Sequence, residues 1–211
     1  MTERRSPPLA SRKKPRQARS EGLVSSILEA AIQVLAKEGA QRFTTTRVAE
    51  RAGVSVGSVY QYFPNKASIL FRLQSDEWAR TSAMLSGLLA DAATPPLERL
   101  RALVHAFVRS ECEEAAIRVA LADAAPLYRD APEAKEERAK GHRMFKAFIR
   151  EVLPHAPARR RALAADLVMR TLSAVGKDFS EAARTAREIQ AYSAALADML
   201  CAYLVNLQSG R

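Results

Sequence analysis

Cysteine and glycine are scarce in this 211-residue chain, which contains 2 Cys and 8 Gly. Cys112 and Cys201 are too few for a disulfide framework and lack the spacing of metal ligands. No stretch reaches the roughly 18 consecutive apolar residues of a membrane-spanning helix. The basic, proline-bearing N-terminus lacks the apolar segment of a secretory signal. We therefore expect a cytoplasmic protein with no membrane span, no bound metal and no cofactor.

Alanine, in contrast, occupies 40 positions, and apolar residues make up 48% of the chain. Alanine is the best helix former, whereas glycine weakens helix interiors. Apolar residues recur at helical spacing between breaks rich in proline and glycine, and no run combines strand-type alternation with a hairpin turn. The sequence therefore predicts an all-α fold.

Breaks in the pattern predict where the helices begin and end. Gly53 and Pro64 end two short helices, and Asn65 is expected to cap the helix that follows. Four helices are predicted before residue 90, over about 21–38, 44–52, 55–63 and 66–87. Further helices are predicted at about 97–123, 133–153, 158–176 and 181–208.

Positive charge is concentrated near the N-terminus. Residues 1–75 contain 13 Lys/Arg and 5 Asp/Glu, a net charge of +8, whereas residues 76–211 contain 20 and 18, a net charge of +2. This asymmetry favours a polyanionic partner at one end of the molecule, because binding phosphates releases their counterions. A solvated basic tail that serves solubility is the alternative. Residues 1–20 are basic with little to bury and are predicted to be a disordered arm.

The segment 44–63 has the length and the breaks of a helix-turn-helix unit, whose second helix can enter the major groove of DNA. Its residues, with their neighbours, read FTTTRVA at 43–49, AGVS at 52–55 and VYQYFPNK at 59–66. In this register they resemble the DNA-binding head of the tetracycline-repressor (TetR) family. The resemblance covers about residues 21–81.

This resemblance implies roles for individual residues of the head. The positions that match base-facing residues are Thr46, Val56, Gly57, Tyr60 and Gln61. The positions that match phosphate-binding residues are Thr45, Ser58, Tyr62 and Lys66. Alternatively, Tyr60 and Tyr62 pack on the fourth helix and Lys66 is solvated. Arg47 is expected to form a surface salt bridge with Glu50 or a neighbour of Arg51.

Residues 82–211 are expected to form a helical domain for effector binding and dimerisation. Two apolar stripes at helical spacing suit a four-helix bundle between subunits, as in TetR-like proteins. The predicted interface residues are Leu163, Leu167, Leu172, Ile189, Leu196, Leu200, Tyr203 and Leu207. The resemblance also implies a small-molecule cavity, with Trp78, Phe107, Met144, Phe145 and Phe148 as candidate walls. Both sets could instead be ordinary core within one subunit.

The combined prediction is a homodimeric transcriptional repressor that a small-molecule effector releases from a palindromic double-stranded DNA operator. One alternative is a helical ligand-binding or scaffold protein that contacts nucleic acid only nonspecifically. A second alternative is an esterase, because Gly53-Val54-Ser55-Val56-Gly57 matches the G-x-S-x-G nucleophile elbow. That elbow requires a preceding strand, and a helix is predicted there instead, so no enzyme activity is expected.

Overall fold

A computed structural model describes the backbone of residues 18–128 and 130–209. Within these ranges the regular elements are all helical, which confirms the predicted fold class. The helices are α1 (Ala18–Arg42), α2 (Thr45–Ala52), α3 (Val56–Tyr62), α4 (Lys66–Ala90), α5 (Pro96–Glu113), α6 (Ala115–Ala124), α7 (Pro132–Val152), α8 (Ala158–Ser180) and α9 (Ala186–Gln208), with a 3-10 turn at Ala125–Leu127. Of the predicted basic arm, residues 1–17 lie outside the described residues, and the backbone of 18–20 belongs to α1.

Local signals set the helix ends in the first part of the chain. Thr44 caps α2 by accepting a hydrogen bond from the backbone N–H of Arg47, and Ser55 caps α3 in the same way. The side-chain oxygen of Asn65 accepts from the N–H of Ser68 at 2.9 Å, which confirms the predicted cap. Gly39 leaves helical geometry at φ 73° and interrupts α1 where a stop was predicted.

Two predicted helices differ from the structure. The segment predicted over 97–123 is two helices, α5 and α6, separated at Glu114, whose φ and ψ are −107° and 14°. The last helix begins at Ala186 instead of residue 181, because Thr185 and Glu188 form a capping box there. Neither break is marked by a proline or a glycine, which explains why the pattern alone did not show them.

The helices group into two compact units. The head unit comprises the described residues through Trp78 together with Ala116–Glu137, and the body unit comprises Ala79–Ala115 with the described residues from Arg138 onward. This division differs from the predicted one at residue 81, because the segment 116–137 packs with the head. The Tyr128 ring lies 5.6 Å from that of Phe71, and Arg118 pairs with Glu77 at 2.8 Å.

Each unit has its own apolar core. In the head unit Ile27, Leu35, Phe43, Val59 and Phe63 are almost fully buried. In the body unit α5 packs on α8 and α9. Gly176 of α8 lies so close to α5 that a β-carbon there would be 2.8 Å from a ring carbon of Phe107. No helix of the described chain is both long enough and apolar enough to cross a membrane.

Candidate nucleic-acid interface

A glycine turn connects α2 to α3. Gly53 adopts the left-handed conformation at φ 67° and ψ 31°, and its N–H bonds to the carbonyls of Ala49 and Glu50. The N–H of Val54 also donates to Ala49, at 3.0 Å. Val48 from α2 and Val59 from α3 are fully buried in the head core. The two short helices are therefore held at a fixed angle by one turn and one shared core.

The residues predicted to face DNA bases lie on the outer side of this unit. Thr46, Gly57, Tyr60 and Gln61 are exposed, and Val56 is half-buried. A β-carbon at Gly57 would meet only the Ser55 hydroxyl, at 3.7 Å. Packing among the described residues therefore gives no reason for a glycine inside this short helix.

Hydroxyl groups on the same unit are hydrogen-bonded to one another. The Tyr60 hydroxyl lies 3.2 Å from that of Thr45, which joins the side chain of α3 to the start of α2. The hydroxyls of Ser55 and Ser58 are 2.8 Å apart, and Ser55 also accepts from the Ser58 N–H at 3.0 Å. These bonds orient the hydroxyl groups of the helix-turn-helix unit relative to one another.

The predicted phosphate-binding residues differ in how far their side chains are exposed. Thr45, Ser58 and Lys66 are half-buried, whereas Tyr62 is only 8% exposed and its ring belongs to the head core. The burial of Tyr62 agrees with the alternative in which it packs, and its phosphate contact remains a prediction. Lys66 is the first residue of α4, and the first turn of that helix has no acidic residue. A cation there opposes the helix dipole, which favours an external anion.

Arg47 and Arg51 are engaged by α1. Arg47 forms a salt bridge, as predicted, but its partner is Glu38 of α1 and not Glu50. The Nε of Arg51 donates to the side-chain oxygen of Gln33 at 2.5 Å. The error arose because Glu38 is distant in sequence and comes next to α2 only when α1 packs against it.

The environment of Ser55 is not that of a nucleophile elbow. The helix α2 and a glycine turn precede it, where the elbow requires a strand. Its hydroxyl caps α3 and bonds to Ser58, another hydroxyl, with no base in that contact. The hydrogen bond of the His105 ring is made to Ser193 in the body unit, at 2.6 Å, and not to Ser55. The geometry of Ser55 is that of a helix cap.

The candidate cavity walls fall into two groups. Phe107, Met144, Phe145 and Phe148 lie in or against the body core, where the rings of Phe145 and Phe148 are 5.8 Å apart. Trp78 packs against the core of the head unit instead. The structure thus brings four of the five candidates into one cluster.

The predicted interface stripes contain both core and surface residues. Leu172, Leu196 and Leu200 are buried, and Ile189, Tyr203 and Leu207 are half-buried against the body core. Leu163 and Leu167 of α8, in contrast, are 63% and 45% exposed. The large apolar residues of α9 that are exposed are Met199 and Val205. Val205 was not predicted, because it is not in register with the buried stripe of its helix.

Two short helices around a left-handed glycine turn, with an exposed outer face, define a helix-turn-helix protein, here with an all-helical body. Residues 27–73 match the family model of bacterial regulatory proteins of the tetR family. Residues 95–207, more than half of the chain, match the tetracyclin repressor-like C-terminal domain. The chain belongs to the TetR family, as its head motif predicted.

Curated relatives and solved structures agree with this assignment. The chain is 28% identical over 131 residues to the transcriptional repressor KstR of Rhodococcus jostii, which covers 62% of this chain and 60% of that protein. It is 34% identical over 84 residues to KstR of Mycolicibacterium smegmatis, covering 40% and 41%. The matches thus span less than two thirds of these relatives.

Two solved structures have the same fold over most of their length. The fatty acid degradation regulator FadR from Bacillus halodurans superposes with a TM-score of 0.65 at 19% identity, covering 90% of this chain and 96% of that one. FadR from Bacillus subtilis, in complex with stearoyl-CoA, superposes with a TM-score of 0.63 at 18% identity, covering 87% and 98%.

The two glycines of the helix-turn-helix unit are expected to respond differently to alanine. Gly53→Ala should destabilise the protein by about 1–2 kcal/mol, because a β-carbon is strained in the left-handed conformation. Gly57→Ala is unstrained and uncrowded, so it should leave the urea midpoint unchanged or raised and weaken DNA binding instead. Urea unfolding and fluorescence anisotropy with operator DNA measure the two effects. Equal losses of stability in both variants would show that Gly57, like Gly53, is needed for the fold and not specifically for binding DNA.

Proposed function

We propose that this protein is a sequence-specific DNA-binding transcriptional repressor that acts as a homodimer and responds to a small-molecule effector. The observation that supports this most directly is the outer face of α3, where an uncrowded Gly57 lies beside the exposed side chains of Tyr60 and Gln61. The descriptions of KstR as a repressor support the same function. The proposal includes a cytoplasmic location, because the protein must share a compartment with its operator.

In this proposal α3 lies in the major groove and the residues divide by role. Thr46, Val56, Gly57, Tyr60 and Gln61 face the bases, and because most of these positions are small or apolar, contacts with thymine methyl groups are favoured over paired hydrogen bonds. Thr45, Ser58, Tyr62 and Lys66 bind backbone phosphates, which fix the register of the protein on the duplex. The net charge of +8 on residues 1–75 adds a salt-dependent attraction.

The two half-sites of a palindromic operator lie one helical turn apart, and each needs its own head. The proposal therefore includes a dimer. The exposed apolar residues of α8 and α9 support it, because leucines that are about half exposed are stabilised by a partner surface. Leu163 and Leu167 would contribute from α8, and Met199 and Val205 from α9. The buried members of the predicted stripes would support these helices from within.

The proposed effector binds in the body and reduces the affinity for DNA. If it binds more tightly to a conformation with a different head spacing, DNA and effector must weaken each other by the same factor. The candidate walls of its site are Phe107, Met144, Phe145 and Phe148, which lie in or against the body core. The stearoyl-CoA in the Bacillus subtilis neighbour supports a small-molecule ligand for this fold.

Selection of genomic DNA fragments with the purified protein tests the proposal, since a repressor of this kind should enrich a palindromic sequence. Enrichment without any shared sequence would favour the alternative of a helical protein that binds nucleic acid nonspecifically. Deleting residues 1–20 further distinguishes a sequence-specific repressor from a protein that binds nucleic acid only nonspecifically. Sequence-selective binding should survive the deletion with a smaller dependence on salt. The same protein should show no activity on activated esters, consistent with Ser55 as a helix cap.

Replacing Tyr60 and Lys66 distinguishes base contacts from phosphate contacts. Tyr60→Ala should change the relative affinities among operator variants by about 1–3 kcal/mol at the base pair it faces. Lys66→Ala should weaken binding uniformly and lower the slope of log affinity against log salt by about 1. Anisotropy titrations over a set of single-base operator variants measure both. A uniform loss with Tyr60→Ala would make this residue a packing or phosphate residue.

A further inference from the structure

The body unit contains a concentrated group of cations that the proposed DNA-binding function does not use. Residues 143–161 contain 6 Lys/Arg and 1 Asp/Glu, a net charge of +5, although residues 76–211 as a whole have only +2. The one acidic residue, Glu151, pairs with the buried guanidinium of Arg99. The positive charge of this segment is therefore not neutralised by its own carboxylate.

Four of these cations converge on one groove. The groove has a volume of about 440 Å³ and is lined by Arg143, Lys146, Arg150, Ala158, Arg161 and Ala162. The three α7 residues are spaced three and four apart and so share one face of that helix. Arg161 from α8 is held in place because its guanidinium donates to the carbonyl of Pro154 at 3.1 Å. None of the described residues that line the groove is acidic.

We propose that this groove is a binding site for a small molecule with two or more phosphate groups. Arginine guanidinium groups match phosphate oxygens with paired hydrogen bonds, and the lysine adds a compact charge. The like charges of Lys146 and Arg150, four residues apart on one helix, repel each other, and a bound polyanion would relieve that repulsion. A volume of 440 Å³ lies within the range of small-ligand pockets. The two alanines leave this space open between the cations.

The site is distinct from the proposed effector region and from the head. Its side chains are exposed or half-buried on α7 and α8, whereas Phe145 and Phe148 of the same α7 are buried in the body core. The proposal does not depend on DNA binding, so either function could fail without the other.

The test uses the full chain, with tripolyphosphate as the probe. The groove variant is Lys146→Gln with Arg150→Gln, which removes two charges and keeps most of each stem. The matched control is Lys177→Gln with Arg187→Gln, because both residues are exposed in the body unit and neither lines the groove. Calorimetric titration should show saturable binding that the groove variant weakens about tenfold and the control leaves unchanged.

A local measurement keeps the test decisive if the groove variant folds poorly. Tripolyphosphate should protect Lys146 of the unaltered protein from acetylation by an N-hydroxysuccinimide ester, with no protection of Lys177, as read by mass spectrometry. Equal protection of both lysines, or equal loss of binding in both variants, would indicate general counterion attraction and overturn the proposal.

A DNA measurement separates the groove from the head. Both double variants should bind operator DNA as the unaltered protein does at fixed ionic strength. If the groove variant lost operator affinity and the control did not, the cations would be a DNA-backbone contact, and the small-molecule site would be rejected.

Discussion

Leu167→Glu is expected to convert the protein into a monomer and to lower its affinity for a palindromic operator by about a hundredfold or more. Leu167 is 45% exposed on α8, one turn from Leu163, which is 63% exposed. In the proposed dimer a carboxylate at this position would be buried against apolar residues without a partner. Light scattering gives the mass, and anisotropy at nanomolar protein gives the affinity.

Val119→Glu is the matched control for this variant. Val119 lies on α6 in the head unit and is 47% exposed, so the same charge is introduced at the same degree of exposure. The Val119→Glu protein should still have the mass of a dimer by light scattering. A dimeric Leu167→Glu protein would place the interface elsewhere, and a monomeric Val119→Glu protein would show that the charge acts through the fold.

Glu77→Ala is expected to destabilise the head unit by about 3 kcal/mol, since removing one partner of a buried ion pair is strongly destabilising. Glu77 is 3% exposed in α4, and its carboxylate lies 2.8 Å from the guanidinium of Arg118 in α6. Glu77 also accepts a hydrogen bond from the side-chain amide of Gln74 at 3.0 Å. Urea unfolding followed by the fluorescence of Trp78, in the same unit, measures the loss.

The adjacent Asp76 provides the control. It pairs with Arg72 on the exposed side of α4, with the Arg72 Nε 2.8 and 2.9 Å from the two carboxylate oxygens. Asp76→Ala should cost about 0.5 kcal/mol or less, because an exposed pair one turn apart on a helix contributes little. If both alanine variants lost the same stability, the buried pair would contribute no more than the surface pair.

The helix-turn-helix unit could be predicted closely because its signals are local. A threonine, a serine and an asparagine cap three successive helices, and Gly53 adopts the left-handed conformation that a tight turn needs. These residues act on backbone groups within three or four positions, so their effect does not depend on the rest of the fold. The same short segment was specific enough to identify the family.

The body was harder to predict, because alanine-rich helices provide few distinguishing side chains. The stripe on α9 was interpreted as one dimer interface, yet Leu196 and Leu200 are buried in the core of the body unit. Leucines at three- and four-residue spacing show that a helix has an apolar face. They do not show whether its own subunit or a partner covers that face.

The sequence by itself determined the all-helical fold, the ends of α2 and α3, the start of α4 and the TetR-type head, since propensity, capping and turn geometry act between near neighbours. Only the tertiary structure decided that residues 116–137 pack with the head, that Arg47 pairs with Glu38, and that cations from α7 and α8 share one groove. Those contacts join residues on different helices, and their partners are decided by how whole helices pack.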